Sequence, residues 1–254
     1  MLIVDPLFYF CAIPAVLIFG MAKGGFGGAV SIVSVPLMSL AVSPPVAAAI
    51  LLPILCVMDL LALKKYWGQW HVLNLKIMIP GALVGIFIGA LTFRYLSEAH
   101  IRILIGGIAL VFALYFWRKQ VSGKVSQPSV VKGSFWGTVS GFTSFGIHAG
   151  GPPVSVYLLP QKLHPSIYVG TNAVLFAVIN YVKLIPYFWL GQLNTANLTT
   201  SLVLLPLAPI GIGLGVWAHN RVSSFVFYRV INFFLMLAGG KLLYDGLVQL
   251  TTVA

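Results

Sequence analysis

The sequence predicts an all-α integral membrane protein of two inverted-topology repeats of about five helical segments each, with broken or re-entrant helices at the start of each repeat. Three observations predict it. The 254 residues are 59% hydrophobic and 7% charged, with mean hydropathy +1.01. A soluble domain needs about 25% charged residues to face water. The apolar runs are long and unbroken, not alternating in ten-residue units, which favours helices over an outer-membrane barrel. The two halves of the chain also resemble each other in sequence.

The runs fall at 7–22, 26–42, 44–63, 72–93 and 100–117, and then at 133–147, 150–160, 165–190, 198–219 and 224–247. Between the two sets lies a polar stretch, so the expected organisation is a first repeat over 1–117, a linker over 118–132 and a second repeat over 133–254. The opening residues Met1 to Asp5 have no basic stretch and no small-residue cleavage site, so the first run is expected to be retained.

The linker carries Arg118, Lys119, Lys124 and Lys132 and no acid, which places it in the cytoplasm by the positive-inside rule. Counting outward, Lys23, Lys64, Lys65, Lys76, Lys162, Arg221 and Arg229 join it inside, while Arg94, Arg102, Lys183 and Lys241 fall outside. Eleven against four supports this orientation in the cell (inner) membrane, with both termini extracytoplasmic.

Pro44-Pro45-Val46-Ala47-Ala48-Ala49 aligns with Pro165-Ser166-Ile167-Tyr168-Val169-Gly170, which puts Asp59 opposite Asn180. Further on, Gly68-Gln69 matches Gly191-Gln192, and Pro80, Gly85 and Gly89 match Pro206, Gly211 and Gly215. Arg102 with Gly106-Gly107 matches Arg229 with Gly239-Gly240. Any one match could be chance between glycine- and leucine-rich helices, but their agreement in order argues for duplication. An odd number of runs per half gives the copies opposite orientations.

Residues 133–160 offer 28 positions for two runs, short of the roughly 40 that two full crossings require. The expected form is a hairpin or a pair of half-helices turning near His148-Ala149-Gly150-Gly151-Pro152-Pro153, with Lys23-Gly24-Gly25-Phe26-Gly27-Gly28 as its counterpart. Broken helices leave backbone N–H groups unpaired at a positive dipole end, and glycine allows close approach. Gly24, Gly25, Gly27, Gly28, Gly150 and Gly151 are therefore candidates to cradle a small anion. The alternative is that these glycines only let helices pack closely.

Asp59 is the one acid inside an apolar run, since Asp5, Glu98 and Asp245 lie at termini or in a loop. A carboxylate there is a candidate for carrying a proton or holding a cation. The alternative is an ion pair near the cytoplasmic end, with Lys64 and Lys65 within reach. Lys23, Lys183 and Asn180 are further candidate partners of Asp59, although Lys183 could instead snorkel outward. His148, Thr171 and Asn172 are expected to add side-chain donors; the first half has only Ile50 and Leu51 opposite Thr171 and Asn172.

Several classes are excluded or disfavoured. No room remains for a sizeable soluble domain, so the chain alone cannot house a nucleotide-driven pump. Its net charge of +11 is read as loop anchoring at anionic lipid, not as a nucleic-acid surface. Cys11 and Cys56 lie in apolar runs without CxxC spacing, so neither a disulfide nor a metal framework is expected. Histidines at 71, 100, 148, 164 and 219 make no cluster of the kind an intramembrane enzyme uses. Trp67, Trp70, Trp117, Trp136 and Trp189 stand near run ends as an aromatic belt.

The paired pattern, a Gly-rich turn after the first run, then Pro-x-x-Ala/Tyr, then Gly-Gln, then Pro-x-x-x-x-Gly-x-x-x-Gly, resembles the sulfite exporter TauE/SafE family over essentially the whole chain. The resemblance implies a bacterial or archaeal inner-membrane permease without a bound cofactor, moving sulfite, sulfonates such as sulfoacetate or related anions, coupled to an ion gradient. One departure is that Gly170-Thr171-Asn172 stands where the first half reads Ala49-Ile50-Leu51. The expected partners are a small anionic substrate and the lipid bilayer. Transport by alternating access, with Asp59 responding to protons, is the expectation; a passive anion channel and a non-transporting assembly subunit share the composition.

Overall fold

The structure, a computed structural model, describes residues 3, 5–26, 28–118, 125–219, 221 and 224–253. Gly27 of the first glycine cluster and Lys119 and Lys124 of the linker lie outside the described residues. The described chain is helical, with no strand.

Helix α1 spans Pro6–Met21, started by Asp5, whose carboxylate accepts from Leu7 N–H at 2.9 Å, and by Pro6 in the first turn. The helix then breaks: a π-type turn over Ala22–Phe26 and a 3-10 segment over Gly28–Val33 lead into the short α2, Ser34–Met38. Helix α3, Pro44–Lys65, begins at the Pro44-Pro45 pair. Helix α4, Val72–Tyr95, is capped by the His71 imidazole, which accepts from Asn74 N–H. Helix α5 runs Glu98–Arg118.

The second half follows the same order. Helix α6, Val130–Ile147, ends on His148 in the left-handed region at φ 53°, and α7, Gly151–Leu158, turns back from it. Helix α8 spans Pro165–Trp189. Helices α9, Thr195–Leu204, and α10, Leu207–His219, meet at a 43° bend around Pro206. Helix α11 covers Ser224–Val253. Interruptions after Met21 and after Ile147 are where the two glycine clusters led us to expect them.

Six described helices are long and apolar enough to cross a membrane, seven if α9 and α10 count as one bent span. Helix α6 is not among them, because its Gly, Ser and Thr residues lower its hydropathy. It is buried instead against α4. A Cβ built on Gly85 of α4 would stand 2.7 Å from Phe142 N. At the contact of α1 with α10, a Cβ on Gly20 would stand 2.7 Å from Gly211 Cα. Lipid tails give helices no hydrophobic reason to associate, so close backbone approach through small residues supplies the packing.

Two loops use glycine for its backbone freedom. Gly68 and Gly191 have φ of 76° and 69°, and each precedes the glutamine of the matched Gly-Gln pair. Helices α3 and α8 pack against each other, and α5 lies along α11. The contact of α3 with α8 positions the site.

Candidate functional site

Helix α8 turns one face inward: Val169, Asn172, Ala173, Phe176 and Asn180 recur every three or four residues and share a cavity wall. Opposite them stand Asp59 and Ala62 of α3, Phe19 of α1, Ala22 and Lys23 of the first break, Ser31, and Ser144 and His148 at the end of α6. The space inside the cavity for water-sized centres is about 40 Å³, room for a few waters or a small ion.

Asp59 is fully buried, and its two oxygens are both engaged. Oδ1 pairs with the Lys23 ammonium, and Oδ2 accepts from Asn180 Nδ2 at 2.7 Å. The two residues that the alignment of the halves sets opposite each other thus meet. Lys64 and Lys65 lie five and six positions on, about 140° and 240° around the helix from Asp59, so neither shares its face. Lys23 lies in the π-type turn that follows α1, two residues before Gly25, whose backbone leaves helical geometry. Its ammonium also sits 5.8 Å from the centre of the Phe19 ring and 5.9 Å from that of Phe176.

Lys183 is wholly buried and does not snorkel. Its ammonium donates to Ser144 O at 2.9 Å, Ser144 Oγ at 3.0 Å and His148 Nδ1 at 2.6 Å, which uses all three of its N–H groups. The imidazole's other nitrogen donates to Ala48 O at 2.8 Å, so His148 is the neutral Nε2–H tautomer, accepting from Lys183. Tyr187 stacks on the imidazole at 6.3 Å, and its hydroxyl donates to Phe145 O at 2.5 Å.

The candidates read from sequence divide into two groups. Lys23, Asp59, Asn172, Asn180 and His148 line the cavity, with Lys183 directly behind Ser144 and His148. Thr171 does not: its hydroxyl is held between His71 N–H at 2.9 Å and Ile167 O at 2.6 Å, joining α8 to the loop before α4. Gly24 packs on α10, where a Cβ would stand 3.0 Å from Gly215 Cα. Gly25 lies in the break with extended φ of 170°, and Gly28 opens the 3-10 segment. Gly150 lies behind Phe176, at 2.8 Å for a Cβ, and its carbonyl accepts from Ser140. Gly151 starts α7, followed by Pro152 and Pro153, which have no N–H to offer an anion.

Sequence reasoning did not single out Ser144, Phe19 or Phe176. Each carried a helical signal: Ser144 is four residues before His148, Phe19 four before Lys23, and Phe176 midway between Asn172 and Asn180. A second cavity, about 340 Å³ by the same measure, lies at the opposite ends of these helices, lined among others by Pro45, Arg94, Glu98, Phe145, Tyr187 and Gln192. The stacked pair of Tyr187 and His148 is shared between the two walls. Among the described residues, no three His, Cys, Asp or Glu side chains gather as a metal site.

The arrangement suits a small anion. Two basic side chains, Lys23 and Lys183, stand with the single carboxylate of Asp59 at or behind the cavity wall. No curated protein and no solved structure matches the chain. The family model described as sulfite exporter TauE/SafE matches residues 12–242. With nine-tenths of the chain matched and a bundle of apolar spanning helices, the protein is a multi-pass membrane protein that belongs to the TauE/SafE sulfite exporter family.

Proposed function

We propose that the chain is a secondary transporter of small organosulfur oxyanions such as sulfite or sulfoacetate, working in the cell (inner) membrane with both termini outside. The observation that carries the reading is that two basic side chains, Lys23 and Lys183, stand with the single carboxylate of Asp59 beside a cavity with room for a small ion. Unpaired charge in a low-dielectric interior costs several kcal/mol, so a bound anion gains what the empty cluster lacks.

Two repeats, 1–117 and 133–254, joined by a linker over 118–132, account for the packing. Helix α1 lies on α10 much as α6 lies on α4, and α3 meets α8 while α5 meets α11. Each pairing is its own counterpart or its partner's under exchange of the halves. In this reading the two lobes rock about the contact of α3 with α8. The cavity near Ala62 and Val169 faces the cytoplasm, and the one near Pro45 and Gln192 faces outside. Tyr187 and His148 separate them. Gly24 and Gly150 serve the mechanism by letting the broken segments pack, and Thr171 by tying α8 to its neighbouring loop.

Asp59 supplies the coupling. A proton on its carboxylate ends the ion pair and frees the Lys23 ammonium for an anion, so proton and anion favour each other's binding. In proteoliposomes, sulfite uptake is expected to saturate and to rise several-fold when an inward proton gradient is imposed. Asp59→Asn should remove the dependence on the gradient. Flux that neither saturates nor follows the gradient would instead identify a passive channel, and absence of flux for every small oxyanion would identify an assembly subunit.

A further inference from the structure

The second cavity carries recognition chemistry that the protein does not itself use. It offers about 340 Å³ against about 40 Å³ for the first, so it is where a solute the size of sulfite has room. Its buried end is aromatic: Phe145 meets Phe93 at 5.7 Å and Tyr187 at 5.3 Å, both edge to face. Arg94, Glu98 and Gln192 supply polar groups to the same wall.

Arg94 stands one residue before the end of α4 and is exposed. Among the described residues it enters no ion pair and no hydrogen bond, and its guanidinium lies 5.9 Å from the centre of the Tyr95 ring. The carboxylate of Glu98 is already taken: its Oε1 accepts from Arg102 Nε at 3.0 Å and from Arg102 Nη2 at 2.6 Å, within one turn of α5. Gln192 spends only its main chain, donating to Tyr187 O at 3.0 Å and accepting from Asn197 Nδ2 at 2.7 Å. Its side-chain amide has no partner among the described residues.

A guanidinium presents five N–H groups in a planar fork, and a primary amide presents two more. An oxyanion has acceptors to meet them, and the fork can hold two of its oxygens at once. We propose that the second cavity is itself an anion site, where Arg94 binds a small oxyanion with Gln192 as neutral donor before the anion passes Tyr187 and His148. The proposal rests on the transport reading above for the kind of anion and adds a second position on its route. In the orientation given there, this position faces outside and loads the transporter.

Calorimetric titration of sulfite into the purified full chain in detergent should find two equivalents. Arg94→Gln should weaken one of them about tenfold or more and leave the other within about twofold, because a charge-assisted pair is lost at one place only. Lys23→Met should do the reverse. A single equivalent, lost in Lys23→Met and kept in Arg94→Gln, overturns the proposal and leaves the first cavity standing. A single equivalent lost only in Arg94→Gln upholds this position and overturns the site in the first cavity. No binding at all overturns both. Equal weakening of both equivalents by Arg94→Gln overturns the proposal, since that marks a merely structural residue. Should the variant not fold, wild-type crystals grown with selenite decide: a selenium peak in contact with Arg94 is expected, and its absence overturns the position. Short-chain phosphatidylglycerol separates a free solute from a lipid phosphate. Sulfite should keep its second equivalent against a matched concentration of that lipid, and displacement overturns the proposal in favour of a headgroup site.

Discussion

Asp59→Leu, with Lys23 left in place, is expected to cost about 3–5 kcal/mol of stability, the penalty of a buried charge stripped of its partner. The second half of the experiment is the more informative. Replacing both residues, Lys23→Met with Asp59→Leu, should recover most of that loss, because apolar side chains of similar volume serve a buried position about as well as an ion pair does. Transport should not return. Stability would be read from thermal unfolding in detergent and transport from sulfite uptake into proteoliposomes. If the pair were only a structural brace, the double variant would recover both. If the double variant stays as unstable as Asp59→Leu, the pair is not the isolated unit that its contacts describe. Asn180, which donates to the other carboxylate oxygen, would then be the first residue to examine.

Lys183→Met gives the second large effect, on affinity. The ammonium stands behind Ser144 and His148, so it acts on an anion through its field and not by contact. At an effective dielectric constant of about 20, unit charges roughly 8 Å apart interact by about 2 kcal/mol. Removing one should weaken anion binding by about 30-fold. The loss should be much smaller for a neutral sulfone of similar shape, which separates lost charge from lost packing. Ser144 and His148 would also lose their donor, so some destabilisation is expected alongside. Calorimetric titration of sulfite and of the neutral analogue into wild type and variant reads both effects. Equal weakening of the two ligands would mean that Lys183 shapes the cavity and does not charge it.

Much of this was legible in the sequence, for definite reasons. Helix positions followed from apolar runs because a chain in lipid must satisfy its backbone within each segment, leaving little freedom in where helices start and stop. The turn at His148 followed from length alone. Asp59 and Asn180 were paired by alignment, and in the structure they touch. The partners of the lysines were less legible. Lys183 was open to pairing with Asp59 or to snorkelling, and it does neither, since Ser144 O, Ser144 Oγ and His148 Nδ1 satisfy it in place. Those acceptors come from another helix and become neighbours only on folding.

The glycines carry a related lesson. Gly24, Gly85 and Gly211 look alike in sequence as small residues at helical spacing, and each permits a close helix contact. Sequence alone cannot separate a glycine that admits a neighbouring backbone from one that admits a ligand, because both need the same missing Cβ. What moves from expectation to observation is that side chains, not only amides, compose the cavity wall. Asn172 is the clearest case. A donor was expected there; one of its two amide N–H groups is taken by Tyr168 O one helical turn away, and the carbonyl oxygen is buried without a partner.

The proposed transport needs a small oxyanion in the cavity lined by α3 and α8, held by Lys23 and Lys183. Anomalous diffraction from crystals grown with selenite, a heavier analogue of sulfite, locates it. A selenium peak is expected in the space bounded by Lys23, Asn172 and His148, and is expected to be lost in Lys23→Met crystals. Saturable selenite binding in solution with the peak elsewhere on the molecule would overturn the proposal.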